Sequence, residues 1–136
     1  MAVFRYPQTV LFRHCDPARI MFFPRMLELV NDAVENFFER ELGWPFHDIH
    51  PDRAVPTVEI STRFNAPCRL GEQLVLWIEP TAIGRTSLTL KTTGKVDEDP
   101  RFETVQTLVC IASDGRPTPW PDTVRARTEK LFGEQG

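Results

Sequence analysis

A single carboxylate, Asp16, stands out among the residues whose chemistry could be catalytic. It lies in the segment His14-Cys15-Asp16-Pro17-Ala18, after a β-rich stretch and before a long apolar segment with helical spacing. Unpaired backbone N–H groups and the positive end of the dipole at a helix start favour negative charge there. Asp16 therefore suits acid-base or nucleophilic chemistry. Asp before Pro also forms turns, so the local sequence favours a turn-capping role as well.

The other groups that could bind a metal or act as catalysts have simpler structural interpretations. The segment His47-Asp48-Ile49-His50-Pro51-Asp52 contains potential ligands, but their spacing fits no standard zinc pattern, so we interpret it as a polar surface loop. Cys15 could in principle be a nucleophile, but we interpret it as a small buried side chain. Glu59, a second candidate carboxylate, fits an exposed strand position. No metal and no cofactor are predicted.

The composition indicates one globular domain over residues 1–136. Hydrophobic residues make up 41% and charged residues 26% of the chain, close to globular averages. Sixteen Lys and Arg against 19 Asp and Glu give a net charge of −3, so no nucleic-acid partner is expected. No stretch has the apolar character of a signal peptide or of a membrane span, and three widely spaced cysteines fit a reducing compartment. We therefore predict a cytoplasmic location without a membrane partner.

A strand before Asp16 and a helix after it must position this carboxylate. Residues 8–13 are β-branched and aromatic, which predicts the first strand. Over residues 24–42 polar residues recur at helical spacing, and apolar residues cover most of the remaining circumference. Pro24 suits the first helical position, and Gly43 suits the left-handed residue that closes a helix. Because the apolar face is so wide, we expect a curved sheet to embrace this helix.

Further strands are predicted at residues 55–64, 73–82, 85–96 and 102–112, and a polar helix at 122–132. The turn signal Ile83-Gly84-Arg85 favours an antiparallel hairpin. The order β-α-β-β-β-β predicts an α+β protein, an antiparallel sheet with one long helix inserted after its first strand. Such a sheet leaves a long edge unpaired in a monomer, so we expect a homo-oligomer, either a dimer or a tetramer.

The region around Asp16 resembles the 4-hydroxybenzoyl-CoA thioesterase family of the hotdog fold. The resemblance is carried by Phe12-Arg13-His14-Cys15-Asp16-Pro17-Ala18-Arg19-Ile20-Met21-Phe22-Phe23-Pro24, in which Asp16 matches the family's catalytic aspartate. It continues more weakly through residues 56–64 and 84–87. It implies a long central helix wrapped by a five-stranded antiparallel sheet, two subunits joined into a continuous sheet, and active sites at the subunit interface.

For this chain the resemblance implies cofactor-free hydrolysis of an acyl-CoA thioester, with Asp16 as nucleophile or general base. The backbone amide of Phe23 would bind the thioester carbonyl, an interaction that can be worth roughly 3 kcal/mol. An aromatic acyl group of the benzoyl or hydroxybenzoyl type is favoured, and His14 is given a structural role. The aromatic residues Phe22, Phe23, Phe37, Phe38 and Trp44 could line the acyl pocket, although most would serve equally as core. The hairpin residues Arg85, Thr86 and Ser87 resemble the region of the family that meets the CoA phosphates, although a solvated turn would have the same residues.

Arg19 departs from the family pattern, which often has glycine at this position. Its side chain could contact the CoA phosphates, pair with Asp16 or narrow the acyl pocket. If it neutralised Asp16, the chain would be a non-catalytic hotdog homo-oligomer that binds acyl-CoA or an acyl carrier. A thioesterase for short-chain acyl groups is a further alternative. A hotdog hydratase is disfavoured, because Met21 stands where that class has a histidine five positions after the aspartate.

Overall fold

Strands and helices follow one another along the described chain, residues 4–50 and 52–135 of a computed structural model. Residues 1–3, Pro51 of the predicted polar loop, and residue 136 lie outside the described residues. The strands are β1 (Phe4–Thr9), β2 (Arg53–Ala54), β3 (Thr57–Phe64), β4 (Gln73–Ile83), β5 (Ser87–Val96), β6 (Asp99–Val109) and β7 (Ile111–Ala112). The helices are α1 (Phe23–Arg40), α2 (Phe46–Ile49) and α3 (Asp122–Gln135).

Five of these strands form one antiparallel sheet in the order β1-β4-β5-β6-β3. The predicted hairpin at Ile83-Gly84-Arg85 joins β4 to β5, and the Gly84 N–H donates to the Ser87 carbonyl at 2.8 Å. The predicted α+β class, with a five-stranded antiparallel sheet and one long helix after the first strand, is therefore confirmed. Strands β1 and β3 are the two edges of this sheet.

The first strand begins and ends earlier than predicted, at Phe4–Thr9 rather than at residues 8–13. Its pairing with β4 stops where Thr9 meets Gln73, the first residue of β4. Residues Phe12–His14 instead form a 3-10 turn, because side-chain and main-chain acceptors of the turn replace the sheet partners. The predicted strand at 102–112 is likewise two strands, β6 and β7, and the short β7 pairs with β2.

Helix α1 packs its apolar side on one face of the sheet. Its buried side chains are Met26, Leu29, Val30, Ala33, Val34, Phe37 and Phe38. The polar positions Glu28, Asp32, Glu35 and Glu39 are exposed, so the sheet covers one side of the helix within this chain and does not surround it. Pro24 is the second helical residue rather than the first, and Gly43 has the predicted left-handed conformation with a φ of 65°.

An aromatic cluster fixes the C-terminal end of α1. The ring of Phe38 lies 5.6 Å from that of Phe46 and 6.4 Å from that of Trp120, and Trp44 contacts Trp120 as well. The C-terminal end of α1 is therefore anchored in the core, and its N-terminal end lies beside Asp16. None of the described helices combines the length and apolarity needed to cross a membrane.

Candidate active site

Asp16 opens a tight turn at the tip of a small hairpin. The Arg19 N–H donates to the Asp16 carbonyl, and the Asp16 N–H donates to the Ile20 carbonyl, both at 2.9 Å. One step outward, Cys15 and Met21 form an antiparallel bridge. This is the pattern of a turn closed by a residue in the left-handed region, the position that Arg19 occupies with a φ of 63°. The turn-forming role of Asp16 is therefore real.

The Asp16 side chain is held by this turn through only one of its oxygens. Its Oδ1 accepts from the Ala18 N–H at 2.8 Å and, more weakly, from the Ile20 N–H at 3.4 Å. Among the described residues no donor reaches Oδ2. A carboxylate fixed through one oxygen has a defined orientation and retains free lone pairs on the other. Turn capping and chemistry are thus compatible in one side chain.

Arg19 is exposed and makes no ion pair with Asp16. No acidic group of the described residues pairs with its guanidinium. The backbone of Arg19 is left-handed, and glycine adopts positive φ without a steric cost. This conformation, rather than access for substrate, is a sufficient reason for the glycine that the family often has at this position. Of the three roles considered for Arg19, pairing with Asp16 is not the one adopted in this structure.

The start of α1 presents one free amide next to this turn. The Phe22 N–H donates to the His14 carbonyl at 2.9 Å, Pro24 has no N–H, and the Arg25 N–H donates to the Phe22 carbonyl at 2.9 Å. The Phe23 N–H, by contrast, has no protein acceptor among the described residues. It is an unpaired donor at the positive end of the helix dipole, which is the place for a developing oxyanion.

A cleft of about 540 Å³ connects these two groups. Its walls come from the Asp16 turn, the start of α1, the end of β3 and the loop that follows β3. The lining residues are Asp16, Ile20, Met21, Phe22, Phe23, Phe64, Asn65, Ala66 and Pro67. The rings of Phe22 and Phe23 meet edge to face at 5.7 Å, and Phe22, Phe23 and Phe64 are all about half exposed. The structure therefore brings Asp16, Phe22 and Phe23 together around one aromatic cleft.

Other predicted pocket residues lie elsewhere. Phe37 and Phe38 are fully buried in the core, and Trp44 packs on Trp120 at the far end of α1. Arg85, Thr86 and Ser87 lie at the opposite end of the sheet from Asp16, separated from it by the ten-residue strand β5, which is about 30 Å long. Within one chain these three residues cannot touch a thioester held at Asp16.

The competing clusters do not assemble into a second catalytic centre. His47 and Asp48 lie on the short helix α2 rather than in a loop, and the His50 ring contacts the Phe46 carbonyl at 2.8 Å. No group of three or more His, Cys, Asp and Glu residues in the described chain could hold a metal ion. Glu59 is exposed on β3, five residues from Phe64, so it lies on the opposite face of the sheet from the cleft.

The three thiols are not poised as nucleophiles. Burial raises the pKa of Cys15, and its Sγ donates weakly to the Leu11 carbonyl at 3.5 Å. Burial likewise raises the pKa of Cys68 to about 11 and also raises the pKa of Cys110. A nucleophilic cysteine needs the thiolate, so the raised pKa values argue against a nucleophilic role. Cys68 and Cys110 are buried, whereas Cys15 is only half-buried.

The wall formed by residues 64–67 was missed from the sequence, and an ion cluster holds it in place. Arg101 donates to both carboxylate oxygens of Glu72 at 2.7 and 2.8 Å, to Asp99 at 2.8 Å and to the Pro67 carbonyl at 2.8 Å. The Asn65 and Ala66 N–H groups donate to the Arg101 carbonyl. Phe64 ends an alternating strand and could have been flagged by that pattern, whereas nothing local marks the loop or its distant partner Arg101.

The same chain region matches a known family. A sequence profile of the Thioesterase-like superfamily aligns with residues 10–128, which include the Asp16 turn, α1 and the whole sheet from β3 to β6. The chain belongs to the Thioesterase-like superfamily. Membership confirms the predicted class of enzyme, a thioester hydrolase, and the hotdog fold that goes with it. The finer assignment to the 4-hydroxybenzoyl-CoA branch stays a prediction.

Individual proteins are similar to this chain in sequence or in fold. A 1,4-dihydroxy-2-naphthoyl-CoA hydrolase of Nostoc punctiforme is 26% identical over 114 residues, 83% of this chain and 77% of that protein. The crystal structure of Slr0204, a 1,4-dihydroxy-2-naphthoyl-CoA thioesterase from Synechocystis, superposes with a TM-score of 0.87 at 22% identity, covering 96% of this chain and 98% of that one. SAV2348 from Staphylococcus aureus, solved in complex with CoA, superposes with a TM-score of 0.91 at 16% identity, covering 98% and 86%.

Proposed function

We propose that this thioesterase hydrolyses an aromatic acyl-CoA thioester, with Asp16 as the reacting carboxylate and the Phe23 N–H as the donor to the thioester carbonyl. One observation carries the proposal. Asp16, whose Oδ2 receives no hydrogen bond from the described residues, and Phe23, whose N–H has no acceptor among them, line the same aromatic cleft. A thioesterase needs both groups near one thioester carbonyl. The carboxylate attacks the carbonyl carbon or activates the water that does so, and the N–H donates to the carbonyl oxygen.

The reaction follows from this placement in one of two ways. The Phe23 N–H polarises the carbonyl and stabilises negative charge on its oxygen as the carbon becomes tetrahedral. In the first route Oδ2 attacks the carbon, the C–S bond breaks to release CoA thiolate, and water hydrolyses the resulting mixed anhydride. In the second route Oδ2 takes a proton from water, which attacks the carbon directly. Both give the free acid and CoA, and both need Asp16 ionised.

The aromatic lining of the cleft supports an aromatic acyl group. Phe22, Phe23 and Phe64 leave about half of their surface open to a ligand, and aromatic rings pair favourably edge to face or offset. The relative in Nostoc punctiforme acts on 1,4-dihydroxy-2-naphthoyl-CoA, whose acyl group is aromatic. A flat ring also fits between half-exposed phenyl groups better than a long flexible chain does, because it loses less conformational entropy on binding.

A second copy of the chain would complete this site. Strand β3 is an unpaired sheet edge, and Val58, Ile60 and Phe64 on it are between 43% and 61% exposed. Edge-to-edge pairing of two β3 strands would satisfy the free backbone groups and cover these apolar side chains. Phe64 is also a wall of the cleft, so the partner would close the Asp16 site. Only a neighbouring subunit could bring Arg85, Thr86 and Ser87 to the CoA phosphates.

The non-catalytic alternative has less support. It requires Arg19 to neutralise Asp16, but Arg19 is exposed and no ion pair joins the two residues in the described chain. With Oδ2 unengaged, the carboxylate keeps the capacity that a catalyst needs.

The test of Asp16 is its replacement by asparagine. Asn supports the same turn, so Asp16→Asn should fold normally and bind CoA with little change. An amide neither attacks the carbonyl effectively nor takes a proton from water, so kcat should fall about 10²- to 10⁴-fold. Release of free thiol from an acyl-CoA panel measures kcat, and thermal unfolding checks the fold.

Glu59→Gln is the matched control, an acid-to-amide change on the opposite face of the sheet. It should keep nearly wild-type turnover. Near wild-type turnover in Asp16→Asn together with an inactive Glu59→Gln would place the site at β3 instead and contradict the proposal.

The acyl preference is tested on the wild-type protein. Benzoyl- and hydroxybenzoyl-CoA should give a higher kcat/KM than palmitoyl-CoA, and Phe22→Ala should reduce that preference because it removes one wall of the cleft. Better turnover of palmitoyl-CoA or of short-chain thioesters would refute the aromatic assignment and leave thioester hydrolysis standing.

A further inference from the structure

His14 is buried immediately before the site and makes two bonds with one residue. The ring Nδ1 of His14 accepts the Leu11 N–H at 2.9 Å, and the backbone N–H of His14 donates to the Leu11 carbonyl at 2.9 Å. The side chain is only 4% exposed. Sheet pairing ends just before it, where the Val10 N–H meets the Glu72 carbonyl, so the Leu11 N–H has no strand partner. The imidazole supplies the acceptor that the sheet no longer provides.

The main chain of His14 forms the base of the small hairpin that has Asp16 at its tip. Its carbonyl accepts the Phe22 N–H, the next pair is Cys15 with Met21, and the Asp16 N–H then meets the Ile20 carbonyl. This ladder sets the orientation of the Asp16 turn. It also uses up the Phe22 amide and leaves the following amide, that of Phe23, as the free donor at the start of α1. Any rotation of the His14 peptide would therefore move both reacting groups.

We propose that His14 is a positioning residue of the thioesterase site, whose neutral imidazole, by accepting the Leu11 N–H, holds the His14 carbonyl on the Phe22 N–H. The proposal rests on the function assigned to Asp16 and Phe23 above, and gives His14 no contact with the substrate. A backbone N–H can only donate, so Nδ1 must carry its lone pair and the proton must lie on Nε2. The clamp exists only while the ring is neutral.

The surroundings of the ring favour that neutral form. Beside it lies a cavity of about 70 Å³ whose charged walls are Arg13 from the 3-10 turn and Arg25, Glu28 and Asp32 from α1. Burial, followed by the charges of Arg13 and Arg25, lowers the pKa of His14, and Asp32 and Glu28 oppose the shift. The clamp is thus intact at neutral pH and opens on acidification below the ordinary histidine pKa of about 6.5.

Two substitutions separate positioning from packing. His14→Leu keeps much of the volume but removes the acceptor, and at pH 8 its kcat should fall about 10- to 100-fold with KM changed less than about threefold, as expected for a displaced reacting group. His14→Asn offers an oxygen near the place of Nδ1 and cannot be protonated. It should restore most of kcat at pH 8 and lack the acid limb that the wild type shows below pH 6.5.

A readout that does not need turnover distinguishes this proposal from the proposed reaction. In the wild type, nitrogen NMR of the ring at pH 8 should show Nδ1 unprotonated and Nε2 protonated. On acidification, protonation of the ring should coincide with a loss of hydrogen-exchange protection at the Leu11 and Phe22 amides, measured against the intrinsic exchange rate at each pH. His14→Asn should keep this protection over the same pH range. The proposal is overturned if His14→Leu keeps wild-type kcat, if both proteins share one acid limb, or if Nδ1 is protonated at pH 8. Should His14→Leu fail to fold, the His14→Asn profile and the NMR result decide.

Discussion

At the scale of single residues, the wall of the cleft depends on a side chain that does not line it. This side chain is that of Arg101, because it ties the carboxylate of Glu72, the Asp99 side chain and the Pro67 carbonyl to one strand. Its side chain is only 12% exposed, and the pairing with Glu72 is bidentate, the geometry in which such pairs are strongest. The wall of the cleft at residues 64–67 is therefore stabilised from behind.

Removal of this guanidinium should destabilise the protein and loosen the wall. Arg101→Met leaves Glu72 half-buried without its partner and the Pro67 carbonyl without a donor, which we expect to cost about 1–3 kcal/mol. Urea unfolding at fixed protein concentration measures this cost. Glu72→Gln and the double variant complete a cycle, and a coupling near zero between the two positions would show that the pair does not stabilise the fold.

The same pair predicts how stability depends on acid. The hydrogen bonds from Arg101 lower the pKa of Glu72 below its ordinary value, so the folded state favours the ionised carboxyl. This contribution is complete above the unfolded-state pKa of about 4.3 and is lost as pH falls below it towards the folded-state pKa. The Glu72→Gln variant should therefore lose less stability than the wild type between pH 5 and pH 3, as measured by thermal unfolding. Equal losses in both proteins would count against the pair.

At the scale of the structural element, the turn of residues 16–19 combines a strained backbone with the side chain that we propose as catalytic. Pro17 follows Asp16 in the turn, and Arg19 closes it with a φ of 63°, a region that side chains with a Cβ adopt at a cost of about 1–2 kcal/mol. The turn is thus slightly strained as the sequence stands. The strain belongs to the backbone of Arg19 and not to its charge.

Replacement of Arg19 by glycine and by alanine separates these two properties. Both variants remove the guanidinium, but only glycine removes the Cβ, so Arg19→Gly should be more stable than Arg19→Ala by about 1 kcal/mol in urea unfolding. If Arg19 contacts the CoA phosphates, both variants should raise KM equally. Equal stability of the two variants would mean that the turn does not hold residue 19 at positive φ in solution.

At the scale of the whole molecule, the exposed edge strand β3 predicts that two chains associate into a homodimer. Charge at that edge should prevent association, because Ile60 would be buried against the partner. We expect Ile60→Glu to be monomeric at micromolar concentration by light scattering and to have lost most of its activity. Val105→Glu is the control, since Val105 is also exposed but lies on the outer face of a strand paired on both sides. An active wild-type monomer would remove the interfacial site.

Much of this architecture was readable from local patterns. The helical spacing of polar residues predicted α1 to within two residues at each end, and Gly43 marked its left-handed end, because period and steric freedom are properties of short segments. Alternation and turn residues likewise predicted the strands from β3 to β6 and the β4–β5 hairpin. Asp16, Phe22 and Phe23 were found from a motif of thirteen consecutive residues, and their common cleft lies within that short stretch and the end of β3.

What the sequence could not decide depended on partners far along the chain. The first strand ends at Thr9 because β4 begins opposite it at Gln73, and no local property of residues 8–13 contains that register. Phe37 and Phe38 look as suitable for a pocket as Phe22 and Phe23, but the sheet covers the first pair and not the second. At the start of α1 the His14 carbonyl accepts the Phe22 amide, the Phe23 amide has no acceptor among the described residues, and the loop at 64–67 is placed by Arg101. Chain pattern determined the elements and the catalytic candidate, whereas tertiary packing decided which surfaces stay open and which donors stay unpaired.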